Sequence, residues 1–186
     1  MEEAVRFLRQ AADVFMQLRD LMNEGKARNN IAYGLVKLKR YADARVELER
    51  AIECNKPFGH VAEPWKTFNI LARIERESGN DAAARQARHK AMQAYLAYRR
   101  AGGESRVPSG KLCAAVAQDP GAVAEQLANL QRETDLPAWQ RALIPALRAV
   151  LAGSRDVRLA DDPNLDYDDA VELLLLIESL DKAAGA

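Results

Sequence analysis

Apolar residues recur at every third or fourth position along much of this chain. Ala27, Ile31, Leu35 and Leu38 share one face of a helix predicted over residues 26–38. After a break at Lys39 and Arg40, Ala44, Leu48, Ala51 and Ile52 form the inner face of a second helix over 41–54. Ala44 and Ala51 are small, so the two helices of this pair can approach closely. Gly79-Asn80-Asp81 marks a further turn, with glycine ending one helix and Asn/Asp capping the next, predicted over 82–94.

The pattern repeats with a register of 40 residues. Ala4, Ala44 and Ala84 share it, as do Ala11, Ala51 and Ala91, with Leu8 and Leu48 between them. Upstream, Lys26 aligns with Lys66, Asn29 with Asn69, Ile31 with Leu71 and Ala32 with Ala72. A helical pair of this kind cannot bury its apolar face alone, so neighbouring pairs must stack. These residues resemble the tetratricopeptide repeat. Ala32, Tyr41, Ala44, Leu48 and Ala51 occupy its pattern positions, and so do Leu71, Ala72, Gly79, Ala84 and Ala91. The period is 40 rather than about 34. Asn29-Asn30-Ile31-Ala32 looks like the helix opening of the longer, kinesin-light-chain type, whereas Arg28 and Lys39 replace the family's usual aromatic and glycine. The resemblance implies an all-α protein whose residues 1–101 form an α-solenoid of about two and a half helical hairpins. Residues 2–22 match the second helix of a repeat with no first helix before it, which favours a piece of a longer array over a natural half-repeat cap.

Glycine, serine and Pro108 after Ala101 mark a boundary, and residues 102–186 read as a small C-terminal helical bundle that caps the array. Helices are predicted over 111–118, 122–132 and 136–152, the last kinked or split by Pro145 near Ile144. A final helix, capped by Asp166 and Asp169, is apolar almost all round from Leu173 to Ile177 and therefore buried on several sides.

Composition changes this picture little. Lys+Arg and Asp+Glu are equal at 27 each, so no bulk attraction to nucleic acid or an anionic membrane follows. The charge is nevertheless divided, about +6 on residues 1–100 and −6 on 101–186. Two cysteines exclude a disulfide scaffold and fit a reducing, cytoplasmic compartment. The acidic, amphipathic first residues are no signal peptide, and no apolar run is long enough to cross a bilayer.

Several chemistries fail on spacing. Cys54, His60 and Glu63 match no zinc pattern and read as a buried cysteine beside a loop histidine. Cys113 opens a helix, but neither His60 nor His89 comes with a nucleophile signature. Ser109-Gly110-Lys111-Leu112 lacks the first glycine and the hydroxyl residue of a phosphate loop. The acidic run from Asp161 to Asp169 lacks the turn glycine and terminal glutamate of a calcium loop. The basic clusters around Lys37 and Arg85 carry no nucleic-acid reading motif. The expectation is a protein that is not an enzyme and needs neither metal nor cofactor.

The candidate site is the face of each repeat's first helix. It presents Lys26, Asn29, Tyr33 and Lys37 from one repeat and Lys66, Asn69, Arg73 and Arg76 from the next. Asparagine offers both a donor and an acceptor to a peptide backbone, and the cations beside it select acidic groups. The resemblance implies that Asn29 and Asn69 hold a peptide in a concave groove. The expected function is a protein–protein interaction scaffold for an acidic peptide segment. The alternative is a self-association or sensor segment of a larger multidomain protein, such as a bacterial NTPase or protease, with a homodimer formed through the C-terminal region.

Overall fold

A computed structural model describes residues 1–130 and 135–184 of the 186. Among the described residues the protein is all-helical. Contacts divide the chain into two compact units, Met1–Arg100 and Ala101–Ala186.

The first unit contains α1 (Glu2–Gln17), α2 (Leu21–Lys37), α3 (Tyr41–Asn55), α4 (Pro64–Glu77) and α5 (Asp81–Arg100), with a 3-10 stretch, Lys56–Ala62, between α3 and α4. Each helix packs on the next in sequence, and α2 also touches α4. Its core holds Val5, Ala12, Ile31, Leu35, Ala44, Leu48 and Ile74. Trp65 and Tyr95 close the far end, with ring centroids 5.5 Å apart.

Three of these helices end in the same way. Arg19, Lys39 and Gly79 take the left-handed backbone conformation at φ 56°, 58° and 78°. The following amides reach back five residues: Asp20 N–H donates to Phe15 C=O at 2.9 Å, Arg40 to Leu35 at 2.9 Å and Asn80 to Glu75 at 2.8 Å. Gly59 inside the 3-10 stretch also has a positive φ, 53°, but its ψ of −133° sets it apart from these helix ends. The helix expected over 2–22 is accordingly two elements. Arg19 stops α1, and Asp20 starts α2 by accepting the Asn23 N–H at 3.1 Å, five residues before the expected start.

The second unit contains α6 (Pro108–Gln118), α7 (Pro120–Leu130), α8 (Ala138–Leu151), a 3-10 turn (Val157–Asp161) and α9 (Tyr167–Ala184). The end of the helix expected over 122–132 lies outside the described residues. α9 packs on α6, α8 and the 3-10 turn and buries Ala170, Val171, Leu173, Leu176 and Ile177. Gly110 lets α6 approach closely, because a Cβ there would collide with Ser105 and meet the Glu172 carboxyl. α8 continues through Pro145, so the helix is not split there. Pro145 and Arg141, whose carbonyl loses its helical donor, are both exposed, so water can satisfy that oxygen. Asp169 lies in the first turn of α9 and is 4% exposed. No helix among the described residues is long and apolar enough to cross a membrane.

Candidate functional site

The first-helix face is assembled from α2 and α4. Tyr33, four residues after Asn29 on α2, stands 48% exposed because Ile31, Ala32, Gly34 and Leu35 take the buried positions around it. Lys37, one turn further, places its Nζ 5.5 Å from the Tyr33 ring centroid. Arg73 reaches over from α4 and places its Cζ 5.5 Å from the same centroid. An aromatic ring held between two cations is favourable electrostatically and fixes both side chains.

A second layer holds Arg73 in place. Its Nε donates to Glu77 Oε1 at 2.9 Å, and the Tyr41 hydroxyl donates to Glu77 Oε2 at 2.8 Å. The Tyr41 hydroxyl and then Arg73 hold the Glu77 carboxyl below the usual carboxylate range, and Glu77 pushes the Tyr41 hydroxyl up. Tyr41 and Glu77 were not among the expected site residues. Their signal was the spacing of Arg73 and Glu77, four apart on one helix, which favours an ion pair.

The structure thus brings Tyr33, Lys37 and Arg73 together. Asn29 lies beside them, half-buried, and its Oδ1 is buried with no hydrogen-bond partner. Being buried, that oxygen is not open to a ligand approaching the face. Lys66 is turned to its own helix start, where its Nζ meets Glu63 Oε2 at 2.6 Å. Lys26, Asn69 and Arg76 are exposed on α2 and α4.

Elsewhere in the first unit, two buried carboxylates, Glu24 and Glu47, join a chain of charges across α1, α2 and α3. Glu24, fully buried, accepts from Arg50 Nε and Nη2 at 2.8 and 2.9 Å. Arg28 meets Glu24 at 3.4 Å and Glu47 at 2.8 Å, and Arg9 reaches Glu47 at 3.3 Å. Cys54 is buried against Glu24, and burial first, then the carboxylate, pushes its thiol up. A protonated thiol is a poor nucleophile and a poor metal ligand. His60 stacks near Tyr98, with centroids 6.1 Å apart. Among the described residues, the carboxylates of Asp166, Asp168 and Asp169 are the ones that converge to within 4.8 Å as potential ligands; Cys54, His60 and Glu63 do not. Compared with known protein families, curated proteins and solved structures, this chain matches none, so its likeness to tetratricopeptide repeats rests on the residues already quoted.

Proposed function

We propose that the face shared by α2 and α4 binds an acidic segment of a partner protein. On this reading, residues 1–101 form tetratricopeptide-like hairpins stacked as a short α-solenoid, and residues 102–186 form a separate helical region. The protein acts as a non-enzymatic interaction scaffold. The observation that carries the reading is Tyr33, half-exposed between Lys37 and Arg73. Glu77 occupies the Nε edge of Arg73, so the rest of the guanidinium fork remains for an incoming carboxylate. Tyr33 offers an aromatic surface, and the exposed Asn69 amide offers a donor and an acceptor for the peptide backbone. Lys26, Asn69 and Arg76 extend the same polar, net basic face.

Fluorescence anisotropy with labelled twelve-residue peptides tests the reading. Asp/Glu-rich sequences are compared with their Asn/Gln counterparts at ~50 and ~500 mM salt. The acidic set should bind and weaken with salt, and Arg73→Ala or Tyr33→Ala should reduce affinity by roughly tenfold. Equal binding of the neutral counterparts, or indifference to both substitutions, would sink it.

A further inference from the structure

We propose that a cavity between the end of α3 and the start of α4 binds a small uncharged molecule made of an apolar ring and one hydroxyl group. The cavity follows from the connection. α3 ends at Asn55 and α4 begins at Pro64, whereas α1 joins α2, α2 joins α3 and α4 joins α5 through three residues each. The longer path through Gly59 leaves about 130 Å³ between the two helices. Ile52, Pro64 and Phe68 give it an apolar wall, and Gly59 adds no side chain to fill it. None of these residues belongs to the face that carries Tyr33, Lys37 and Arg73.

Two polar side chains complete the lining, Asn55 at 6% exposure and Thr67 at 1%. The Asn55 amide nitrogen and the Thr67 hydroxyl are buried with no hydrogen-bond partner among the described residues. Folded proteins leave few such groups, because each forfeits the hydrogen bonds that water gave it. The Asn55 oxygen lies against Gly25 of α2, where a Cβ would collide with it, so the nitrogen is on the side away from α2. Neither group holds a hydrogen bond that would have to break for it to turn toward a molecule in the cavity.

These groups define the occupant. A hydroxyl both donates and accepts, so one ligand oxygen can accept from Asn55 and donate to Thr67. The apolar wall takes the rest of the molecule, since an apolar cavity of roughly 150 Å³ stays dry and takes up benzene. An ion is unsuited. Lys56, which also lines the cavity, is already paired with Glu53 at 2.6 Å, and a charged ligand would lose its water without gaining a counter-charge. Water alone serves poorly too, because a buried water makes about three hydrogen bonds and the lining side chains offer two free groups.

Nuclear magnetic resonance titration of the 186-residue protein with phenol, and with benzene as the counterpart without oxygen, tests the proposal. Phenol should shift the amides of residues 52–68 and saturate. Benzene should bind at least about tenfold more weakly, because it leaves Asn55 and Thr67 unpaired. Thr67→Val keeps the shape of the side chain but removes its hydroxyl, and should weaken phenol by about tenfold without weakening benzene. Ile52→Phe fills the cavity and should abolish the binding of both, with the helicity of each variant checked by circular dichroism. The proposal falls if phenol does not saturate or shifts amides elsewhere, the cavity then holding water only. It also falls if benzene binds as tightly as phenol, or if both folded variants bind phenol as the parent does.

Discussion

Lys39 sits at φ 58°, a conformation that costs a residue with a Cβ about 1–2 kcal/mol and glycine almost nothing. Its neighbours compel it, because the Arg40 amide can reach the Leu35 carbonyl only if the chain turns left-handed at 39. Replacing Lys39 with glycine should therefore raise the stability of the first unit by about 0.5–1 kcal/mol, after the added freedom of the unfolded chain is subtracted. Urea unfolding followed by the fluorescence of Trp65 measures it, and an unchanged midpoint would mean that Lys39 is not strained. Gly79 advertised its turn in the sequence, and a break in the periodicity marked Lys39; Arg19 carried no such signal. No side chain marks a left-handed residue unless it is glycine, so the end of α1 was invisible until the backbone was seen. The site was legible in part for a related reason. Tyr33, Lys37 and Arg73 could be assigned to helix faces from periodicity, but the exclusion of Lys66 depends on Glu63, a left-handed residue at φ 50° whose position no pattern reveals.

At the scale of the helices, the apolar stripes were readable because a helix has one period, and Ala27, Ile31, Leu35 and Leu48 lie where the period puts them. The buried charges were not readable, since a hydropathy pattern assigns Glu24 and Glu47 to solvent. They are buried because Arg50 and Arg28 bring compensating charge with them, and together with Arg9 they tie α1, α2 and α3 into one alternating series. Arg50 is the dominant cause that holds Glu24 below the usual carboxylate range. Arg50→Ala leaves Glu24 buried with only the longer contact to Arg28, and should destabilise the first unit by about 2 kcal/mol. Thermal unfolding by circular dichroism provides the check. A loss no larger than that of an exposed ion pair would show that Arg28 compensates Glu24 alone.

For the molecule as a whole, the two units should answer pH in opposite directions. In the first, Arg50, Arg45 and Tyr41 hold Glu24, Glu75 and Glu77 below the ordinary value of 4.5. Depressed carboxyls contribute stability that is present above the unfolded pKa and lost as pH falls through the folded values. In the second, burial and then the neighbouring carboxylates push Asp169 up from 3.8 to about 6. A raised carboxyl contributes stability that is present below 3.8 and lost as pH rises through about 6. Lowering the pH from 7 to 5 should thus stabilise the second unit by about 1 kcal/mol, out of a full range of about 3 kcal/mol, while the first is unchanged until below pH 4.5. The two tryptophans, Trp65 and Trp139, fall one in each unit. Trp139→Phe and Trp65→Phe variants therefore report each unit separately, and Asp169→Asn should abolish the gain on acidification. Parallel responses of the two tryptophans would contradict this assignment.

The short turns that join α1 to α2, α2 to α3 and α4 to α5 have a consequence for how quickly this protein forms. Each closes over three residues, and nearly every helix of the first unit packs on its neighbour in sequence. Little chain entropy is lost before contacts are gained, so the search is local and the barrier low. The first unit belongs among the fast folders, which reach the native state in about microseconds to milliseconds. The longer 3-10 connection between α3 and α4 then becomes the place where two quickly formed hairpins wait to join.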